Sequence, residues 1–183
     1  FGTHPYANDP SGTQSAVSAL DTAALRDFHQ RYYVGANATL AIVGDLDPAQ
    51  AEALAEQVVG QLPRGAAAEP LPPVPSLDAS SQALIDFPSS QTHLLAGQVG
   101  MRRGDPDYFP LYVGNHILGG SGLVSILMDE VREKRGLSYS AYSYFLPLAQ
   151  PGPMIMGLQT QNARANEAQQ VLLDTLERFR TQG

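Results

Sequence analysis

The chain has 183 residues, of which 43% are hydrophobic, so it is long enough to bury a core and to form one or two domains. Its 11 basic and 18 acidic residues give a net charge of -7, and no basic stripe is present to neutralise phosphates, so nucleic acid is not an expected partner. No apolar run approaches the roughly 20 residues of a membrane span.

The first part of the chain has the pattern of a helix, a strand and a second helix. A cap at Asp21 or Thr22 can begin the first helix, residues 38–43 have a strand pattern, and Pro48 opens the second helix. We therefore interpret residues 1–62 as a partial α-β-α piece, the C-terminal end of a preceding α+β domain.

A proline-rich segment follows at residues 63–81. It contains five prolines with small residues between them. This composition is typical of a stiff, extended linker in which little packs.

The remaining residues, 82–183, alternate between strand and helix patterns. Strands are predicted at residues 82–87, 92–101, 138–146 and 154–161, and helices at 106–118, at 121–135 and over the last part of the chain. Strands of this kind with grouped helices predict an α+β fold, a mainly antiparallel sheet with helices packed on one face.

The segment 118–144 joins a predicted helix to an aromatic strand. Ser121 can cap the start of the helix, and Gly136 suits the left-handed position just past its end. Arg132 then lies just before the chain reversal and Tyr139 just after it. A guanidinium and a phenol held together suit a substrate carbonyl or a developing oxyanion.

The same basic residues also fit a structural role. Arg132, Lys134 and Arg135 lie in the last helical turn, where they can complement the helix dipole. Glu130 and Lys134, four residues apart, can form a solvated pair. From these residues alone both interpretations stay open.

Other catalytic interpretations of this region are less favoured. The glycines that precede the helix lack the Lys-Ser/Thr of a P-loop, so we expect them to allow a tight turn and a close backbone approach. None of Ser121, Ser125 and Ser138 has an evident activating base. Asp129 and Glu133, four apart, are better explained as solvated surface acids.

A series of short motifs spans nearly the entire chain. They are His4-Pro5-Tyr6, a helix from Leu25 ending in Tyr32-Tyr33, Asn37, Ala41-Ile42-Val43-Gly44-Asp45, Leu118-Gly119-Gly120, a helix ending in Arg132-Glu133-Lys134-Arg135-Gly136-Leu137, and Tyr139. In content and order the series resembles the pitrilysin/insulinase-type peptidases, which include bacterial members and the mitochondrial processing peptidases. The resemblance implies the same α+β fold. Because second domains of this family continue beyond such a last helix, the resemblance also implies that the domain at residues 82–183 is truncated at its C-terminus.

The resemblance also implies a zinc metallopeptidase in which an Arg and a Tyr reach the substrate from the half opposite the metal. Arg132 and Tyr139 match that pair, which makes them the expected catalytic and substrate-binding residues. The metal-binding half of such enzymes carries H-x-x-E-H on a helix. That motif does not occur in this chain.

The histidines of this chain do not replace the missing motif. His4, His29, His93 and His116 are separated by 25, 64 and 23 residues, so none lies three or four residues from another. The chain also contains no cysteine. We therefore expect no metal or other cofactor to bind to this chain itself, and zinc to belong to the parent protein or to a partner subunit.

Two explanations of the missing motif stay open. The chain is a truncated active subunit, with the motif upstream, or a subunit that lends its Arg and Tyr to a zinc-bearing partner in a hetero- or homodimer. Alone, it is not expected to be active.

The expected substrate is a peptide or unfolded polypeptide, and the alternative function is a non-catalytic scaffold subunit of the same fold. The resemblance favours a bacterial periplasmic location, with the cytoplasm as the alternative.

Overall fold

The computed structural model describes residues 1–182. The chain divides into two compact units, Phe1–Leu71 and Pro72–Gly183. The domain boundaries inferred from the sequence, with the linker at residues 63–81, stay predictions.

The first unit is helical, and its helices begin at capping side chains. The α-helices are α1 (Gln14–Ala19), α2 (Thr22–Tyr32) and α3 (Pro48–Val59), with short 3₁₀-helices at Pro5–Ala7 and Gly35–Asn37. The carboxylate of Asp21 accepts a hydrogen bond from the N–H of Ala24 at 2.8 Å, so Asp21 rather than Thr22 is the cap of α2. Asp47 and Gln50 form a reciprocal capping box at the start of α3.

The strand predicted at residues 38–43 is wrong. No element of the described chain pairs with this segment, and Val43 is 98% exposed. A strand is defined by hydrogen bonds to a neighbouring strand, which the local sequence pattern cannot supply. The predicted α-β-α piece is therefore a set of helices joined by irregular backbone in this structure.

The second unit is built on an antiparallel sheet. Within residues 1–182 it contains β1 (Gln91–Val99), β2 (Ala141–Phe145) and β3 (Pro153–Gln161), in the order β1-β3-β2. Gly157 in the central strand lies opposite Leu95 of β1 and Tyr142 of β2. This sheet and its helices confirm the α+β class, whereas the strand predicted at residues 82–87 is wrong because that segment also has no paired neighbour in the described chain.

Helices cover one face of this sheet. The α-helices are α4 (Tyr108–Asn115), α5 (Ile126–Met128) and α6 (Ala165–Gln182). Helix α4 continues as the π-helix His116–Gly120, and α5 continues as the π-helix Asp129–Glu133. Short 3₁₀-helices lie at Gly122–Val124 and Asn162–Arg164. Alternate residues of β3 face the core, so Met154, Met156 and Leu158 are buried. They join Leu127 and Leu172 from the helices in one hydrophobic cluster.

Ser125, not Ser121, caps the helix that leads to Arg132. The Ser125 hydroxyl accepts a hydrogen bond from the N–H of Met128 at 3.3 Å. Ser121 instead precedes the 3₁₀-helix that begins at Gly122, whose φ of +62° is in the left-handed region. This extra turn moves the start of the helix four residues beyond the predicted cap.

Gly119 lets the π-helix after α4 approach β2 closely. A Cβ atom at Gly119 would lie 2.5 Å from Ser143 Oγ and 2.6 Å from Ser143 N, too close for any side chain. Next to it, Asn115 Nδ2 donates a hydrogen bond to the Ser143 carbonyl at 3.2 Å. The predicted close backbone approach of these glycines is confirmed at Gly119.

No helix in residues 1–182 combines the length and the apolar character needed to cross a lipid bilayer.

Candidate functional site

Arg132 and Tyr139, which the sequence singles out, lie in contact. The Cζ atom of Arg132 is 4.9 Å from the centre of the Tyr139 ring, within the range of a cation–π interaction. Arg132 belongs to the π-helix Asp129–Glu133, and Tyr139 lies two residues before β2. The structure therefore brings together two side chains that are seven residues apart in the sequence.

The reversal between them occurs at Gly136. This glycine has a φ of +57°, as its position in the sequence predicts. Its N–H donates to the carbonyl of Arg132 at 2.8 Å, and the N–H of Leu137 donates to the carbonyl of Val131 at 2.8 Å. These two hydrogen bonds close the helix and turn the chain back towards β2.

Both donors of the pair are accessible. Tyr139 is 84% exposed, and the side chain of Arg132 is 32% exposed. The nearest carboxylate, that of Glu133, lies 3.7 Å from Arg132 Nε, which is a long, exposed ion pair. A guanidinium and a phenol hydroxyl at one surface can donate hydrogen bonds to a single incoming oxygen atom.

The other basic residues of this segment have a structural role that depends on Glu130. Contrary to the prediction of a solvated pair, Glu130 is buried, with 7% of its surface exposed. Its carboxylate accepts from Lys134 Nζ at 2.8 Å and from Arg135 Nη1 at 2.6 Å, and Arg178 Nη2 of α6 lies 3.1 Å away. No local sequence pattern predicts this contact with α6, because Arg178 is 48 residues away from Glu130.

These cations stabilise the ionised form of Glu130. The hydrogen bond from Lys134, joined by that from Arg135 and by the charge of Arg178, lowers the pKa of Glu130 from 4.5 to about 2, although burial acts in the opposite direction. Hydrogen bonds from Lys134 to Asp129 and Glu130 raise the pKa of Lys134. The basic cluster is therefore divided, with Lys134 and Arg135 held by Glu130 and Arg132 directed to Tyr139.

The histidines are dispersed over different elements. His4 Nδ1 accepts a hydrogen bond from the N–H of Tyr6 at 3.1 Å, and the ring of His29 stacks on Tyr33 with the ring centres 4.7 Å apart. His93 lies on β1, and His116 begins the π-helix after α4. Residues 1–182 contain no group of three or more His, Cys, Asp or Glu that could hold a metal ion, so the described residues do not fit a zinc site.

Comparison with known proteins gives a match over most of the chain. The family model described as the peptidase M16 inactive domain matches residues 19–183. An uncharacterized zinc protease of Mycobacterium leprae is 32% identical over 181 residues, which cover 96% of this chain and 40% of that protein. The chain therefore spans less than half the length of this relative.

Solved structures share the fold. The crystal structure of a peptidase M16 inactive domain from Pseudomonas fluorescens is 40% identical, with a TM-score of 0.96, and the match covers 100% of this chain and 44% of that chain. The crystal structure of the periplasmic protease PqqL from Escherichia coli is 19% identical, with a TM-score of 0.55, and the match covers 77% of this chain and 16% of that chain. At that identity the second comparison shows the fold alone.

We predict that Glu130 makes the stability of the chain depend on acid pH. Because folding lowers the pKa of Glu130, its stabilisation is fully present above its usual pKa of 4.5 and is lost as the pH falls towards about 2. This loss should be on the order of 3 kcal/mol in the free energy of unfolding. Urea unfolding of the Glu130→Gln variant should show lower stability near neutral pH and a flatter decline in acid.

Glu177→Gln is the matched control for this experiment. Glu177 pairs with Arg180 on α6, and that hydrogen bond also lowers its pKa, but its side chain is 61% exposed. Solvent screens such a pair, so we expect a small effect on stability. Equal acid dependence in the wild type and in Glu130→Gln would contradict the role given to the buried carboxylate.

Proposed function

Because the chain belongs to the M16 peptidase family, we propose that it is the domain of a zinc peptidase that supplies Arg132 and Tyr139 to the substrate. The observation that carries the proposal is the contact between the two side chains, 4.9 Å from guanidinium carbon to ring centre, at an accessible surface. The substrate class is a peptide or an unfolded polypeptide, whose carbonyl oxygen both groups can reach as hydrogen-bond donors.

The two donors act on the oxygen of the peptide bond under attack. The charged guanidinium binds the carbonyl oxygen of the substrate, and the phenol hydroxyl donates to the same oxygen as it gains negative charge. Only an interaction that is stronger in the transition state than in the ground state increases the rate. The hydroxyl of Tyr139 meets this condition because the charge on the oxygen develops during the reaction.

The metal belongs to another part of the assembly. Since the described residues do not fit a zinc site, we propose that zinc is held either by the rest of the natural-length polypeptide or by a separate subunit in a hetero- or homodimer. The description of the M. leprae relative as a zinc protease supports a metal in the parent protein. Alone, this chain does not hydrolyse peptides.

We propose a periplasmic location for the parent protein. The proposal follows the resemblance to exported bacterial peptidases, and PqqL, which has the same fold, is described as a periplasmic protease. Fractionation of the source cells during purification of the natural-length protein tests the location, and recovery in the cytoplasmic fraction would contradict it.

A scaffold role is the second candidate function. It is favoured by the family model itself, which describes the matching domain as inactive. A scaffold does not need two accessible donors in contact. Loss of the Tyr139 hydroxyl should therefore reduce peptide hydrolysis if the pair is catalytic and have no effect on a scaffold.

We expect Tyr139→Phe to reduce peptide hydrolysis by the natural-length protein in its complete assembly. The change removes the hydroxyl and keeps the ring that contacts Arg132. Loss of one oxyanion donor costs on the order of a hundredfold or more in kcat. The measurement is steady-state cleavage of an unfolded polypeptide.

Tyr144→Phe is the matched control, because Tyr144 is a partly exposed tyrosine on β2 and is assigned no part in the reaction. It should leave kcat unchanged. If Tyr139→Phe also leaves kcat unchanged in an assembly that hydrolyses peptides, Tyr139 has no part in the mechanism. If the wild-type assembly hydrolyses nothing with zinc present, the scaffold function is supported instead.

We expect no tightly bound zinc on the 183-residue chain after exposure to excess zinc and removal of the free metal. The natural-length polypeptide, purified without a partner and treated identically, distinguishes the two sources of the metal. About one zinc ion per natural-length chain would show that the rest of this polypeptide holds the metal. No zinc on either chain would assign the metal to a partner subunit or support the scaffold function. Stoichiometric zinc on the 183-residue chain would contradict the proposal.

A further inference from the structure

We infer that Arg164 and Thr160 are positioning residues, which hold the reversal between Arg132 and Tyr139 and thereby keep the two donors in contact. Both lie outside residues 129–139, the segment that contains the π-helix of Arg132, the reversal and Tyr139. The inference rests on the proposed function for its catalytic consequence, but the contact itself can be measured without catalysis.

Arg164 binds the end of the helix that carries Arg132. It is the last residue of the 3₁₀-helix before α6, and its Nη1 donates to the carbonyl of Arg135 at 3.1 Å and to that of Gly136 at 3.3 Å. The last carbonyls of a helix lack partners within the helix. A guanidinium is a strong donor to them, because one partner of each hydrogen bond is charged.

Glu167 fixes the orientation of the Arg164 guanidinium. Its Oε2 accepts from Arg164 Nε at 3.1 Å, and its Oε1 accepts from Arg164 Nη2 at 3.0 Å. This bidentate contact uses one edge of the planar guanidinium and leaves Nη1 directed at the two carbonyls. Arg164 therefore acts as a fixed link between the start of α6 and the reversal.

Thr160 holds the next carbonyl along the chain. It lies near the end of β3 with 2% of its surface exposed, and its Oγ1 donates to the carbonyl of Leu137 at 2.6 Å. Leu137 is itself buried, with 3% exposed. Three successive carbonyls, those of residues 135–137, thus accept hydrogen bonds from side chains of a distant part of the chain.

These hydrogen bonds fix the middle of the backbone path between the two donors. Arg132 lies three residues before the first of these carbonyls, and Tyr139 lies two residues after the last. If the reversal shifts, the side chains on its two sides move relative to each other. A misplacement of about 1 Å in a catalytic arrangement can cost on the order of a hundredfold in rate.

The contact is tested first by NMR on the 183-residue chain. The Tyr139 ring shifts the resonances of the Arg132 side-chain protons upfield, and Tyr139→Ala gives their positions without the ring. We expect Arg164→Met and Thr160→Val to move these resonances towards the Tyr139→Ala positions. Thr160→Ser keeps the hydroxyl and should restore the wild-type shift.

Arg180→Met is the matched control for Arg164→Met. Arg180 also lies on the α6 side of the unit and also pairs with a glutamate three residues away, Glu177. The hydrogen bonds of its guanidinium go to Glu177 and not to the reversal. Because both variants lose one charge and one exposed ion pair, only the loss of the carbonyl contacts distinguishes them, and Arg180→Met should leave the Arg132 resonances unchanged.

The catalytic consequence is tested on the natural-length peptidase in its complete assembly. We expect Arg164→Met and Thr160→Val to lower kcat by on the order of tenfold with little change in KM, because the donors act on the transition state. Thr160→Ser and Arg180→Met should both retain the wild-type kcat. Loss of folded protein would lower the active concentration, so the fraction folded is measured by thermal unfolding.

The outcomes separate this inference from the proposed function. Wild-type Arg132 resonances in both Arg164→Met and Thr160→Val would overturn the inference, whatever the kinetics show. If Tyr139→Phe lowers kcat but the two positioning variants do not, the inference is also overturned. Shifted Arg132 resonances together with a normal kcat for Tyr139→Phe would support the positioning of the contact and reject the proposed catalytic role of the pair.

Discussion

The left-handed backbone at Gly136 is the constraint on which the candidate site depends. In a continuous helix, residues seven apart lie on the same face but about 10 Å from each other along the axis. Arg132 and Tyr139 could not touch in that arrangement. Because the chain reverses at Gly136, with a φ of +57°, the guanidinium carbon and the ring centre lie 4.9 Å apart. Glycine adopts this backbone conformation without the cost that a Cβ would add.

Glu130 determines which basic side chain is left for the site. Its buried carboxylate engages Lys134, Arg135 and Arg178, and these cations hold its pKa at about 2, so it remains ionised at neutral pH. Among residues 1–182, the side-chain contacts of Arg132, on the same π-helix, are a long ion pair at 3.7 Å and the contact with Tyr139. Lys134 and Arg135 of the basic segment therefore have a structural role in pairing with Glu130, whereas the role of Arg132 in a substrate site stays a prediction.

The parts of the fold that depend on local patterns could be predicted from the sequence, and the parts that depend on distant partners could not. Gly136 and the aromatic strand after it are local signals, and together with the family resemblance they led to Arg132 and Tyr139. The strand pattern at residues 38–43 is local too, but a strand also needs a neighbour. Arg164 and Thr160 contact carbonyls 23 to 29 residues away, a separation that has no periodic signal.

The strength of the contact between Arg132 and Tyr139 is suited to the proposed function. An exposed cation–π interaction contributes about 0.5 to 1 kcal/mol, which biases the orientation of both side chains but does not lock them. One oxyanion donor contributes about 2.7 to 4 kcal/mol to the transition state. An arriving oxygen can therefore redirect the guanidinium and the hydroxyl at small cost. An arginine paired with the buried carboxylate of Glu130, such as Arg135, would resist that redirection, which is why the division of the basic cluster matters for the site.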